Sequence, residues 1–230
     1  MVPRPSLAAL TLADARFPGG GHVHSGGLEE AVARGLVTGV ADLGPFLAGR
    51  LRTAGLVAAA FAAAAGLAAR TRGGPWAELD AELDARTPAP AQRAASRAQG
   101  RASLRAARLA WPSPVLDDLC AAAPRPHHPL LVGAVIGIDG GTPAEAAHCV
   151  GYLALSGPAS AAVRLLGLDP FAVNAVIVGL GSALDTVVSQ AEATSALPPH
   201  RLPAASAPVL DLMAEAHVHH HREQVRLFVS

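Results

Sequence analysis

The stretch Ala91-Gln92-Arg93-Ala94-Ala95-Ser96-Arg97-Ala98-Gln99-Gly100-Arg101-Ala102-Ser103-Leu104-Arg105-Ala106-Ala107-Arg108-Leu109-Ala110 decides the fold. Alanine is the best helix former and a poor strand former, and arginine ranks close behind it in helices. At helical spacing Ala95, Ala98, Ala102, Ala106 and Leu109 form a stripe of mostly small residues, which predicts a face that another helix approaches closely. Arg93, Arg97, Arg101, Arg105 and Arg108 fall on a neighbouring arc. Such an arc is usually a solvated surface; its functional reading is a docking edge for an acidic partner.

The same character extends outward. Apolar residues make up 51% of the 230, yet aromatics only 3%, because alanine carries the apolar count. The expectation is an all-α protein: one helical bundle of about eight to ten helices over residues 1–230, large enough to bury a sizeable core. Predicted helices cover Leu28–Arg34, a run from an Asp42 cap to Arg52 and on through the alanines to Arg70, Trp76–Arg86, Leu116–Ala123 and Leu130–Ile138. Trp76, Leu79 and Leu83 share one face. Thr142, Pro143 and Glu145 spell a capping box for a helix to about Leu155. Pro158–Leu166, Pro170–Leu180, Ser182–Ala196 and a last helix from Ser206 or Pro208 to about His221 follow, with Leu197–Pro203 as an extended linker.

All 18 basic residues are arginine, which excludes a P-loop lysine and a Schiff-base lysine. Formal net charge is zero, so no nucleic-acid or anionic-membrane partner is expected. Cys120 and Cys149 are far apart and outside any C-x-x-C, and read as buried small residues in a reducing compartment, with a disulfide between them as the alternative. Met1–Ala15 lacks a basic start and an apolar block, so a cytoplasmic protein is expected. Ala54–Ala69 is apolar between Arg52 and Arg70, but short and alanine-rich; a buried core helix is the better reading than a membrane span.

The two ends are unusual. Phe17-Pro18-Gly19-Gly20-Gly21-His22-Val23-His24-Ser25-Gly26-Gly27-Leu28-Glu29 is glycine-rich over 17–27 and flanked by apolar anchors, so it reads as a shaped, pinned segment. The C-terminal tail, 222–230, follows a histidine cluster. On a helix, His217 and His221 are i and i+4 with His220 close by, a spacing that can hold nickel or zinc; the bland alternative is a polar helix end. His24 beside Ser25 suggests a nucleophile pair, but G-x-S-x-G is absent. His127-His128, among prolines, reads as capping or filling a turn, and no convincing catalytic set emerges.

Taken together these segments resemble the UreF family of urease accessory proteins. The resemblance rests on Leu10-Thr11-Leu12-Ala13-Asp14 with Phe17-Pro18-Gly19-Gly20 and His24-Ser25-Gly26-Gly27-Leu28-Glu29, then Arg93 to Gly100, then His128-Pro129-Leu130-Leu131-Val132-Gly133. His217 and Arg226-Leu227-Phe228-Val229-Ser230 complete it. The order is kept along nearly the whole chain. The family's Leu-Gly-Gln after its late Arg-Leu pair reads Leu168-Asp169-Pro170 here.

The resemblance implies a non-catalytic, dimeric scaffold that binds the UreD (UreH) and UreG accessory proteins and supports GTP-dependent nickel insertion into apo-urease. It needs no cofactor of its own, with nickel in transit only. Its partner-binding residues would be Phe17, Pro18, Gly19, Gly20, His24, Ser25, Gly27, Leu28, Glu29, Arg93, Arg97, Gln99, His217, Arg226, Leu227, Phe228 and Ser230. The alternative is a histidine-dependent nickel-delivery protein using His217, His220 and His221.

Overall fold

The structure is a computed structural model that describes residues 6–21 and 24–216. Among these there is no β-strand, and eleven α-helices follow one another. They are α1 (Leu7–Ala13), α2 (Leu28–Ala33), α3 (Val40–Arg50), α4 (Leu56–Ala68), α5 (Trp76–Ala85), α6 (Pro90–Ala110), α7 (Pro114–Ala122), α8 (His128–Ile138), α9 (Pro143–Leu166), α10 (Pro170–Gly179) and α11 (Gly181–Thr194). Residues 208–216 are helical as well.

α3 and α4 form one rod joined by a π turn, Leu51–Gly55. Proline, glycine and cap signals set most boundaries as the sequence indicates. The Thr142–Glu145 capping box is present, and Asp169 and Ser113 cap α10 and α7 through their side chains. Three expectations change. The Leu197–Pro203 linker is not extended throughout, because Pro199–Arg201 wind into a 3-10 turn. Asp42 is not the cap of α3 but lies in its first turn, where its carboxylate accepts the backbone N–H and hydroxyl of Thr38 at 2.9 and 2.8 Å. α9 does not stop near Leu155; it runs through Pro158 to Leu166.

The core divides into two clusters around α4. Val57, Phe61, Ala62 and Ala65 face a cluster completed by α1, α5, α6, α7 and α8; Ala59, Ala60 and Ala63 face one built from α2, α3, α10 and α11. A helix buried on both sides has no polar face to display, hence its unbroken apolar run. α9 likewise serves both clusters, with Ala146, Cys149 and Val150 on one and Ala147, Leu155 and Ala159 on the other.

Alanine buries little area, so these helices gain by approaching closely instead. A Cβ on Gly133 would collide with the Ala62 carbonyl oxygen, and one on Gly137 with that of Gly66. α4 and α8 therefore cross backbone to backbone.

Val40–Ala68, 29 residues, and Pro143–Leu166, 24 residues, are each long and apolar enough to cross a membrane. The sequence reading underestimated the first, because the π turn merges α3 with the alanine run. Within this fold the apolar residues of α4 lie in the core, as expected for Ala54–Ala69.

Candidate functional site

The glycine-rich segment ties the two core clusters together. Phe17 packs against the first, and Leu28 is buried in the second. Between them Gly20, Gly26 and Gly27 take φ values of 71°, 62° and 93°, where an L side chain is strained. Gly19 lies so close to α6 that a Cβ there would sit 2.6 Å from the Ser103 hydroxyl oxygen. That oxygen is buried and has no hydrogen-bond partner among the described residues.

At the other end of the segment, Gly26 rests on the Arg50 guanidinium, where a Cβ would come within 2.8 Å of Cζ. Arg50 Nη1 donates to the Gly26 carbonyl at 2.7 Å, and Nε donates to the Ala154 carbonyl at 3.3 Å. Ala154 is the residue whose helical donor would be the N–H of residue 158, and proline has none. The arginine thus replaces a bond that Pro158 removes from α9. Burial pulls Arg50 down to about 10, so it stays charged at neutral pH. Ser25 accepts the Glu29 N–H through its hydroxyl oxygen at 3.3 Å, a capping role for α2 rather than a nucleophile's.

A second junction joins α6 to the start of α8. Gly100 permits it: a Cβ there would collide with the Pro126 carbonyl oxygen and stand 3.1 Å from the His128 nitrogen. Ser96 Oγ lies 3.0 Å from His127 Nδ1 and accepts the His128 N–H at 3.3 Å. His127 Nε2 is 2.9 Å from Asp84 Oδ1. With Asp84 accepting the Nε2 proton, Nδ1 accepts the Ser96 hydroxyl. The order Ser–His–Asp resembles a catalytic triad, but the ring is only 1% exposed and both nitrogens are occupied. The chain Ser96–His127–Asp84 fastens three helices.

Arg97 closes this network. Its guanidinium donates to Asp80 at 2.8 and 3.2 Å, to Asp84 at 2.7 Å and to the Arg125 carbonyl at 2.6 Å. Burial pushes Asp84 up, but the bonds from Arg97 and His127 leave it below the ordinary carboxylate value. Burial depresses His127 and, with a smaller contribution from the His24 ring, pulls His128 down to about 4.

The helical residues 208–216 complete the arrangement. Leu210 Cδ2 lies 3.4 Å from where a Cβ on Gly27 would be, and Glu215 Oε1 accepts the Ala91 N–H at 2.7 Å. The segment leading toward the C-terminus therefore sits between the glycine-rich segment and the first turn of α6.

The expected contact residues are distributed unevenly over this region. Gly19 and Leu28 are buried, Phe17 is packed against the core, and Arg97 is bonded internally. Arg93 donates to the carbonyls of Thr87 and Pro88 at 2.7 and 2.8 Å. Pro18 is exposed, while Gly20, His24, Ser25, Gly27, Glu29 and Gln99 are half-buried. His217, His220, His221, Arg226, Leu227, Phe228 and Ser230 lie outside the described residues. Among the described residues no group of three or more His, Cys, Asp or Glu side chains is placed to hold a metal. Both cysteines are free, and burial pushes Cys149 up to about 12.

The predicted alanine stripe of α6 is not its packing face. Gly100, Ser103, Leu104 and Ala107 are buried, whereas Ala98 is exposed and Leu109 is 88% exposed. The face is rotated by roughly 150° from the predicted one at 100° per residue. Close approach to Pro126 and His128 selects glycine over alanine at position 100. Sequence reasoning also passed over Arg50, Asp80, Asp84 and Pro158. The available signal was a proline inside an apolar helix, which leaves a carbonyl in need of a donor.

The fold is that of an all-α protein of closely packed small-residue helices, in which, among the described residues, only Trp76 Nε1 and Ser103 Oγ are buried side-chain polar atoms without a hydrogen-bond partner. A family model described as UreF matches residues 37–181. The urease accessory protein UreF of Mycobacterium sp. (strain JLS) is 47% identical over 208 residues, covering 90% of this chain and 92% of that protein. Those of Mycobacterium bovis (strain BCG / Pasteur 1173P2) and Mycobacterium tuberculosis (strain ATCC 25618 / H37Rv) are 45% and 44% identical over 227 residues, covering 98% of this chain and 99% of each. The chain belongs to the UreF family of urease accessory proteins.

Proposed function

We propose that this chain is a non-catalytic scaffold that acts as a homodimer in the cytoplasm, binds UreD (UreH) and UreG, and supports GTP-dependent nickel insertion into apo-urease. It carries no resident cofactor; nickel is cargo of the assembly. Family membership supports the accessory role. One structural observation carries the scaffold reading: the glycine-rich segment, α6, the start of α8 and the segment leading to the C-terminus converge through Gly19–Ser103, Gly100–His128 and Gly27–Leu210. The polar groups there fix backbone geometry rather than present reactive atoms. A surface shaped in this way suits recognition of proteins.

The test is co-purification of the full-length chain with UreD-type and UreG-type proteins and apo-urease, followed by urease activation. Removal of residues 226–230 is expected to abolish activation while leaving helicity unchanged. Full nickel loading of urease by the truncated chain would refute the assignment of the tail to partner binding. Loss of activation on His217, His220 and His221 substitution, together with loss of micromolar nickel binding in calorimetry, would instead favour direct nickel delivery.

A further inference from the structure

We propose that the outer face of α6, formed by Ala94, Ala98, Arg101, Arg105, Arg108 and Leu109, is a docking edge for an acidic helix of a partner protein. The inference rests on the scaffold reading above and adds to it the place and the chemistry of one contact.

Helix geometry separates the five arginines of α6 into two sets. Each i+4 step advances about 40° around the helix. Arg93 and Arg97 therefore lie beside the buried face and are held by Asp80, Asp84 and backbone carbonyls. Arg101 and Arg105 have turned away. Both are exposed and make no hydrogen bond or ion pair among the described residues. Arg108 is held more loosely, by a 3.6 Å contact with Asp117, itself 74% exposed, and by the Cys120 thiol.

The remaining residues of the same face favour a protein occupant. Ala94, Ala98, Arg101, Arg105, Arg108 and Leu109 fall within an arc of about 100°. The exposed alanines leave room for a second helix to approach the first half of the stripe. Leu109, 88% exposed, supplies an apolar anchor beside the charges. Arginine with an adjacent aliphatic group is the composition of interface centres, whereas a solvated helix face mixes both signs of charge. Here three like charges stand together on a chain of zero net charge, without acidic residues interleaved. A complementary partner surface carries aspartate or glutamate at helical spacing.

The experiment uses the full-length chain immobilised in parallel with R101E/R105E/R108E, the neutral R101Q/R105Q/R108Q, and R201E as a control at another exposed arginine. Each is offered UreD-type protein, UreG-type protein and apo-urease from the same urease system at about 50 and about 300 mM salt, a range over which screening of exposed charges becomes strong. Circular dichroism compares helicity, and the glutamine variant retains helix propensity if charge reversal disturbs folding. The wild-type chain is expected to capture one of the three proteins more tightly at low salt. Both triple variants should lose about tenfold or more of that affinity, and R201E should lose none. Equal capture by the wild-type and the glutamine variant overturns the proposal while leaving the scaffold reading standing. No capture by the wild-type chain overturns both. A duplex DNA oligonucleotide is offered to each chain in the same way; if the triple variants lose only its retention, the face is a nucleic-acid contact and the proposal falls.

Discussion

Arg50 donates its Nε–H to the Ala154 carbonyl, the acceptor that Pro158 strips of its helical partner. One side chain thus repairs a break in α9 and, through Gly26, holds the glycine-rich segment in place. Arg50→Ala should cost about 1–3 kcal/mol, because two carbonyls lose a donor in a partly buried site. Pro158→Ala returns the native helical donor to Ala154. Urea denaturation of the two single variants and the double variant should show a smaller cost for Arg50→Ala in the Pro158→Ala background; strict additivity would count against the repair.

Gly19 and Ser103 offer a second paired test. Ser103→Ala should be neutral or slightly stabilising, since its buried hydroxyl oxygen makes no hydrogen bond among the described residues. Gly19→Ala should destabilise, because its methyl group would press on that oxygen. The double variant should recover most of the loss. A loss undiminished by Ser103→Ala would place the conflict elsewhere.

Glycines in this chain divide by what surrounds them. Gly100→Ala forces a Cβ into the Pro126 carbonyl and should cost more than about 3 kcal/mol or prevent accumulation of folded protein. Gly49→Ala on α3 meets nothing within 4 Å and should stabilise by about 0.5–1 kcal/mol. Thermal melts of the two variants provide the contrast.

Acid should weaken the fold in two stages. His128 is pulled from 6.5 to about 4, and His127 is lowered as well, so the unfolded chain binds these protons first. Their contribution is complete above pH 6.5 and is lost as the pH falls from there toward about 4. Asp84 and Asp42 lie below their ordinary value of 3.8, so their contribution is lost only as the pH falls further. Stability measured by urea at pH 7, 5.5 and 4.5 should fall across that range, and His128→Gln should flatten the decline.

Local signals made most of the fold legible. Alanine richness, the Thr142–Glu145 box and the Trp76–Leu79–Leu83 face all foretell what is observed. The packing face of α6 was not legible, because Gly100 and Ser103 face the core for the sake of a neighbour distant in sequence. Nor was the reach of α9, since the proline that usually ends a helix is accommodated here by Arg50. The motifs gave no sign that Arg97 is held within the fold or that Gly19 is covered. Those facts depend on pairings such as Arg97 with Asp80, which no periodicity encodes.

The π turn Leu51–Gly55 sets the phase of everything that precedes it. A π turn amounts to one residue inserted into an α-helix. Were the turn rewound as ordinary α-helix with every residue kept, Val40–Arg50 would swing by about 100° about the rod axis relative to α4, and Arg50 would point away from Ala154 and Gly26. Excision of a single residue there, Thr53 for instance, would instead remove the extra residue and leave an unbroken α-helical rod in the same phase. A one-codon deletion within this apolar helix would thereby spare the hold on the chain's opening segment, which a rewinding of the same turn would release.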